Sequence, residues 1–321
     1  MLTSETADTV IDGVRYRIEI VDALDSEATA WAHPGVCVAP GNTVLWTAPD
    51  GSTIRSLAAD GRGAPRAVDA VECHGLASDD HGGVWIADPG RKARADGPEV
   101  VRRVSEGRVT RVNAVGVTTH ELADPGDGWR PSGIALRDSR AAHDERIWVA
   151  DGYGQSFVHC FSADGKVLWS SDGSDSGTPF LTPHGIIVDD RGASPRLLVA
   201  DRGNARIVAL TLDGVFIESV GEGELTSPSN FALNGSRLWV TELFGAIIVL
   251  NDDDRVVGSF GDASKSDDPI WPNVLADGRL GGPSVSPDRL RAPHGIAVTA
   301  NGEVYVTEWI IGGRVIRLVP T

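Results

Sequence analysis

The chain has 321 residues, of which 41% are hydrophobic and 23% charged, and its formal net charge is −16 at pH 7. This composition predicts a water-soluble folded protein with one large domain or two ordinary ones. The negative charge argues against a nucleic-acid partner, because the protein and the phosphate backbone would repel each other.

Membrane and secreted locations are also disfavoured. No stretch approaches the ~20 apolar residues that span a bilayer, and the N-terminus lacks the basic and apolar regions of a secretion signal. Cys37, Cys73 and Cys160 have neither metal-knuckle spacing nor the even number that a disulfide framework needs. We therefore expect a cytoplasmic protein without a membrane partner. The sequence indicates no particular oligomeric state.

Short strands are predicted along the whole chain. Residues 14–20 alternate apolar and polar side chains, as a half-buried strand does. From residue 34 onward, β-branched and aromatic runs alternate with turns such as Asp164-Gly165 and Asp213-Gly214. The chain is therefore predicted to be all-β.

A repeated unit organises these strands. Each unit opens with a Pro/His-Gly-apolar phrase and a first strand, and five of the six second strands end in an acid. Those acids are Asp88, Asp151, Asp201, Glu242 and Glu308. Units of 40 to 65 residues with four strands each predict a six-bladed β-propeller over residues 1–321. The last unit has only three strands, so residues 14–20 should supply its fourth and close the ring.

Two longer insertions interrupt the units. One covers residues 115–130, and the other covers residues 262–291, which are rich in Pro, Gly and Asp. Connections longer than about 15 residues are often lids or binding loops. The second insertion leads directly into the last unit and is a candidate lid, with surface elaboration as the alternative.

One position in the opening phrase alternates between histidine and other residues. Along the chain it is occupied by Pro34, His74, Ser132, His184, Ser229 and His294. In a closed ring, every second blade places this position around the axis with approximate threefold symmetry. Three imidazoles could then bind one zinc ion with a fourth position open, and Fe²⁺, Co²⁺ or Mn²⁺ would also accept these ligands. The alternative is that Pro-His-Gly merely begins a blade.

The motif at 183–207, Pro-His-Gly-Ile followed by Val-Ala-Asp-Arg-Gly-Asn-Ala-Arg-Ile, resembles the NHL repeat. More specifically, the chain resembles the peptidyl-α-hydroxyglycine α-amidating lyases, six-bladed NHL propellers with a zinc ion on three histidines. The resemblance implies that His74, His184 and His294 are the metal ligands. It also implies catalytic roles for Tyr153, in Ala-Asp-Gly-Tyr, and for Arg202, in Ala-Asp-Arg.

The resemblance suggests a chemistry for these residues. Tyr153 would accept the hydroxyl proton of a carbinolamide, and Arg202 would bind a carboxylate in a bidentate manner. Where the family has an arginine in the first blade, this chain has Thr47, Ala48 and Pro49. We therefore expect either a small-molecule or a peptide-derived substrate. An ordinary blade-end aromatic and a salt-bridged arginine are the alternatives for Tyr153 and Arg202.

The recurring acids are interpreted mainly as acceptors of backbone N–H groups. Glu242 and Glu308 depart from the aspartate pattern and are weaker candidates for a catalytic base. Trp271 and Trp309 lie outside the core register and are candidates for a pocket wall. The remaining histidines, including His33, show no shared spacing and receive no role.

Three functions stay open at this level. The first is a metal-dependent lyase that cleaves the C–N bond of a carbinolamide. The second is a metal-dependent hydrolase acting on a lactone or an amide, with Glu242 or Glu308 as base. The third is a non-catalytic NHL interaction domain, because a fold alone does not define a function. A structural Ca²⁺ is a further expectation.

Overall fold

A computed structural model describes residues 7–137, 145–262, 271–275 and 277–321 of the chain. The described residues form 28 β-strands and two short 3₁₀ helices. None of these helices is long and apolar enough to cross a membrane. The first two strands, β1 (Ala7–Ile11) and β2 (Val14–Asp22), form an antiparallel hairpin.

The remaining strands form six antiparallel sheets, or blades, and one separate hairpin. Blade 1 contains β3 (Val36–Ala39), β4 (Thr43–Thr47), β5 (Thr53–Ala58), β6 (Gly61–Arg62) and β7 (Arg66–Ala67). Blade 2 contains β8 (Gly75–Ser78), β9 (Val84–Asp88), β12 (Arg108–Val112) and β13 (Thr118–Glu121). The separate hairpin consists of β10 (Arg91–Asp96) and β11 (Glu99–Val104), which lie between β9 and β12 in the chain. Blade 3 contains β14 (Gly133–Leu136), β15 (Ile147–Ala150), β16 (Val158–Phe161) and β17 (Val167–Ser171).

Blades 4 to 6 complete the set. Blade 4 contains β18 (Pro183–Asp189), β19 (Arg196–Asp201), β20 (Arg206–Leu210) and β21 (Phe216–Val220). Blade 5 contains β22 (Pro228–Asn234), β23 (Arg237–Glu242), β24 (Ala246–Leu250) and β25 (Val256–Gly261). Blade 6 contains β26 (Pro293–Val298), β27 (Val304–Glu308), β28 (Arg314–Pro320) and β2, with β1 as a fifth, outer strand.

The first strand of each blade contacts the first strand of the next, in the cycle β3, β8, β14, β18, β22, β26 and back to β3. The predicted six-bladed β-propeller is therefore confirmed. So is the ring closure, because β2 pairs with β28 and places Ile18 opposite Leu318. Both side chains are fully buried, whereas Arg15 and Arg17 on the other face of β2 are exposed. The alternation predicted for residues 14–20 thus anchors the N-terminal strand in the last blade.

The core lies between neighbouring blades. Trp148 of blade 3 packs with Ile186, Leu197 and Val199 of blade 4, and all four side chains are buried. The second-strand tryptophans of blades 1, 2 and 5 are buried in the same way. Burial of these β-branched and aromatic faces stabilises the stacking of the blades.

The predicted insertion at residues 115–130 is wrong. Residues Thr118–Glu121 form β13, the outer strand of blade 2. The extra length of this unit lies earlier, in the hairpin β10–β11, which stands between the second and third strands of the blade. Turns flank β13 on both sides, and the glycines and the proline of 115–130 lie in them.

The second insertion, 262–291, is described only in part, because residues 263–270 and 276 lie outside the described residues. The rest carries one isolated bridge, between Val274 and Leu280. Trp271 donates its indole N–H to the carbonyl of Arg291 at 2.7 Å, and Asn273 accepts the N–H of Ile311 at 2.6 Å. These bonds tie the described segment to blade 6, and its function as a lid stays a prediction.

Candidate metal centre and catalytic pocket

Three histidines meet on the axis of the ring. His184 and His294 lie in the first strands of blades 4 and 6, and His74 directly precedes the first strand of blade 2. One ligand nitrogen from each ring lies within 4.8 Å of the other two, and all three residues are at most 2% exposed. Among the described residues, no other group of three metal-ligating side chains meets in this way.

The intervening blades orient these rings. The Nδ1 atoms of His74 and His184 each lie 2.7 Å from a backbone carbonyl oxygen, that of Ser132 and Ser229 respectively. His294 Nδ1 lies 3.4 Å from the carbonyl oxygen of Pro34. These three acceptors occupy the alternating position of the next blade. Because a carbonyl only accepts, each Nδ1 carries the hydrogen and each Nε2 presents a lone pair to the axis.

The Nε2 lone pairs outnumber the hydrogens available to them. The hydroxyl of Tyr153 lies 3.1 Å from His74 Nε2 and 3.0 Å from His184 Nε2, and one O–H can donate to only one of them. His294 Nε2 is buried and has no hydrogen-bond partner among the described residues. A buried acceptor without a donor costs about 1–3 kcal/mol. A cation would satisfy all three nitrogens at once, so the residues present fit a divalent metal ion.

Burial also keeps these ligands in their neutral form. The pKa of His74 falls to about 3, mainly because of burial; the bond to Ser132 opposes the shift and the charge of the nearby Arg202 adds to it. The pKa values of His184 and His294 are likewise well below the ordinary value, mainly because of burial. Neutral imidazole is the form that binds metal ions, so protons compete little for this site at pH 7.

Tyr153 and Arg202, both predicted from the sequence, lie at the same end of the channel. Arg202 Nη2 is 3.5 Å from the Tyr153 hydroxyl, and the guanidinium carbon is 5.7 Å from the centre of the tyrosine ring. The histidines, the phenol and the guanidinium therefore form one cluster. The structure brings together all five of the residues that the sequence favoured most.

The segment that carries Tyr153 is held by Asp151. The Asp151 carboxylate accepts the backbone N–H groups of Arg130 at 2.7 Å and Gln155 at 2.8 Å. Gly152 passes so close to blade 4 that a Cβ there would lie 2.2 Å from the carbonyl oxygen of Pro183. Only glycine allows this approach, which places Tyr153 against the strand of His184.

Glu242 and Glu308 have the same structural role as Asp151. One Glu242 oxygen accepts the backbone N–H groups of Thr226 and Ser227, both at 2.8 Å. Glu308 accepts the N–H of Arg291 at 2.6 Å and forms a 2.6 Å ion pair with Arg314. Each carboxylate holds the segment that enters its own blade. Neither glutamate is placed as a catalytic base by this geometry.

We expect the Glu308→Gln variant to lose stability and keep its activity per folded molecule. The side chains of Glu308 and Arg314 are 0% exposed, so the substitution leaves a buried guanidinium without its counter-charge. The free energy of unfolding, measured by urea denaturation, should fall by about 3–5 kcal/mol. The control is Lys166→Gln, which breaks a surface ion pair with Asp164 and should change the free energy of unfolding little. Unchanged stability together with lost turnover would instead assign Glu308 to catalysis.

A cavity of about 570 Å³ reaches the three-histidine centre at His74. Its lining includes His74 and Tyr153, together with residues of the hairpin β10–β11, the described residues 271–274 and 280, and Trp31. Trp271 and Trp309 both line it, with ring centres 6.2 Å apart. The expectation that these two tryptophans line a pocket is therefore confirmed.

Three lining residues were missed by the sequence analysis. His33 lies with its ring centre 5.5 Å from that of His74 and 5.7 Å from that of His294. Glu72 and Lys92 form a buried ion pair of 2.8 Å, and Lys92 also donates to the carbonyl of Trp31 at 2.6 Å. Burial raises the pKa of Glu72 to about 8, although the charge of Lys92 opposes this. The one available signal was that His33 precedes the repeat position at Pro34.

Fold and site together define a six-bladed β-propeller whose channel carries a buried three-histidine centre. No protein-family model matches the chain. It is 22% identical, over 239 residues, to a protein of Caenorhabditis elegans described as a probable peptidyl-α-hydroxyglycine α-amidating lyase. That match covers 73% of this chain and 60% of the relative's length. It supports the resemblance deduced from the blade motifs.

Solved structures show the same fold. A streptogramin B lyase superposes with a TM-score of 0.58 and 15% identity, over 95% of this chain and 98% of the other. A gluconolactonase from Xanthomonas campestris superposes with a TM-score of 0.57 and 16% identity, over 95% and 90% of the two chains. The sequence relative and both structural neighbours are described as enzymes.

Proposed function

We propose that the protein is a metal-dependent lyase that cleaves the C–N bond of a carbinolamide, an amide whose nitrogen is attached to a carbon bearing a hydroxyl group. The observation that carries this proposal is the meeting of three Nε2 lone pairs with the Tyr153 hydroxyl, 3.0 and 3.1 Å from two of them. The similarity to an amidating lyase supports the same reaction class.

His74, His184 and His294 would hold a divalent ion, with zinc preferred and Fe²⁺, Co²⁺ or Mn²⁺ also compatible with imidazole ligands. When bound, the ion would supply Lewis-acid polarisation of a substrate oxygen. Metal identity is part of the proposal. A structural Ca²⁺ stays a prediction without an assigned site.

Tyr153 is the proton-transfer residue. In its phenolate form it accepts the hydroxyl proton of the substrate, and the O–H electron pair becomes the second bond of an aldehyde carbonyl. The C–N bond breaks, and its electrons remain on the nitrogen. The Tyr153 hydroxyl then returns the proton to that nitrogen. The products are an amide and an aldehyde, and no other reactant is consumed.

Arg202 would orient the substrate. Its guanidinium lies next to the Tyr153 hydroxyl and can bind a carboxylate through two parallel hydrogen bonds. A carboxylate on the carbinol carbon would then hold the hydroxyl group beside Tyr153. The second candidate, hydrolysis with Glu242 or Glu308 as base, is less well supported, because each carboxylate accepts backbone N–H groups and neither lines the cavity.

A small substrate suits the site. The cavity of about 570 Å³ lies in the range of small-molecule pockets. We therefore propose a small-molecule or peptide-derived carbinolamide as substrate, with no nucleic-acid partner because of the net charge of −16. We also propose a cytoplasmic location, since the three cysteines are buried free thiols.

Turnover of N-benzoyl-α-hydroxyglycine tests the function. We expect purified protein to release benzamide and glyoxylate in equal amounts, measured by chromatography. Treatment with a chelator should stop the reaction, and added Zn²⁺ should restore it. Gluconolactone and simple amides are the comparison substrates. Hydrolysis of these without carbinolamide cleavage would replace the lyase with a hydrolase, and absence of both activities from metal-loaded protein would support a non-catalytic domain.

A further inference from the structure

We propose that the hairpin β10–β11 forms a second binding subsite in the cavity, which takes an anionic group on an aromatic or otherwise apolar part of the substrate, remote from the carbinol. Arg91 and Arg102 are the specificity-determining residues of this subsite. The inference rests on the proposed function, which defines the kind of ligand that reaches the metal centre. The evidence for the subsite comes from the hairpin.

The two faces of the hairpin have different surroundings. Arg91 pairs with Val104, and Ala93 pairs with Arg102, so these four residues share one face. All four line the cavity above the metal centre. The other face carries Arg94 and Arg103, and these line a separate depression next to blade 1. Strand alternation therefore directs one pair of arginines towards the metal centre and a second pair away from it.

Arg91 and Arg102 are close enough to act on one anion. They are diagonal neighbours across the two strands, a relation that places Cβ atoms about 7 Å apart. Two guanidinium groups on such positions can converge on one carboxylate, each with several N–H donors. Both side chains are exposed on the cavity side, so neither needs to leave a packed position.

Neither arginine has a counter-charge in the described part of the chain. Within the residues that the structure describes, no ion pair or side-chain hydrogen bond involves Arg91 or Arg102, whereas Arg108, in the next strand, pairs with Asp69. Residues 91–104 contain five basic and two acidic side chains in a chain whose net charge is −16. A local excess of positive charge at the mouth of a cavity attracts anions that the rest of the protein repels.

Much of the rest of the cavity lining is apolar. Trp271, Pro272, Leu280 and Trp309 line the same cavity, and so does Trp31, whose N–H donates to the carbonyl of Ala93 in β10 at 3.1 Å. The one lysine among the lining residues, Lys92, is already bound to Glu72 and to the carbonyl of Trp31. Planar apolar groups pack well against indole rings. Two arginines and three indoles in one cavity fit an aryl or extended acyl group that ends in a carboxylate.

Two matched ligands test the subsite. N-(4-carboxybenzoyl)glycine and N-(4-carbamoylbenzoyl)glycine differ in one remote charge, and neither has the hydroxyl group needed for cleavage. Binding to the metal-loaded protein is measured by calorimetry in low salt. We expect the parent protein to bind the carboxylate ligand about tenfold more tightly. The Arg91→Gln/Arg102→Gln variant should lose this preference and bind the neutral ligand as the parent does.

The opposite face of the hairpin provides the control. Arg94→Gln/Arg103→Gln removes the same charge from the same hairpin and should keep the tenfold preference, because those side chains face away from the cavity. Melting temperatures confirm that both variants fold. Three results would overturn the subsite. The parent protein could bind the two ligands equally, the preference could survive in Arg91→Gln/Arg102→Gln, or both double variants could lose the preference equally. This experiment measures binding and no turnover, so its outcome is independent of the outcome of the lyase assay.

Discussion

Substitution of His184 by alanine is expected to remove the bound metal and to reduce lyase turnover by about a thousandfold or more. His184 contributes one of three ligand nitrogens that lie within 4.8 Å of one another. With two imidazoles left, the ion would lose a third of its protein ligands. Metal content is measured by elemental analysis of protein purified without chelators, and turnover with N-benzoyl-α-hydroxyglycine.

A second measurement separates metal loss from misfolding. A ligand that binds only the native state raises the midpoint of thermal unfolding, so added Zn²⁺ should raise it in the chelated parent protein and not in His184→Ala. His81→Ala is the control, because His81 is an exposed turn residue and should not affect metal content. Stoichiometric metal in His184→Ala, or none in the parent protein, would contradict the three-histidine centre.

The fold could be predicted because the same sequence signals recur in successive blades. Each blade begins with a related short phrase, and five of the six second strands end in an acid. The incomplete last unit and the alternation at residues 14–20 were sufficient to predict ring closure. The hairpin β10–β11 was missed because it is a single addition to one blade. Its residues follow no repeat, and their polar alternation is similar to that of an ordinary outer strand.

The metal ligands could be predicted for the same reason, since histidine occupies one repeat position in every second blade. What the sequence could not show is why the other blades lack it. Their residues at this position, Pro34, Ser132 and Ser229, contribute backbone carbonyl oxygens that fix the imidazole tautomer. A carbonyl group has no sequence signature, because every residue carries one. His33, Glu72 and Lys92 were missed because irregular segments and the added hairpin bring them to the cavity.

The Tyr153→Phe variant should keep its metal and lose turnover by a factor of about 10²–10⁴. Phenylalanine keeps the ring in its edge-on contact with His74, at a centre distance of 5.0 Å, and beneath the Arg202 guanidinium. Only the oxygen is removed, and that oxygen lies 3.0 and 3.1 Å from two ligand nitrogens. The loss should appear in kcat, with KM changed little, because the hydroxyl moves the proton while Arg202 and the metal hold the substrate.

Tyr305→Phe is the matched control, since the Tyr305 hydroxyl donates to Glu303 at 3.1 Å on a side chain that does not line the cavity. Removing that hydroxyl should leave both metal content and kcat unchanged. If Tyr153→Phe retained full turnover, proton transfer would have to be assigned to another residue. His33 would be the candidate, because its ring lies next to those of His74 and His294. If the variant lost its metal instead, the phenol oxygen would belong to the ligand set. Retained metal with lost kcat is the one result that makes Tyr153 the base.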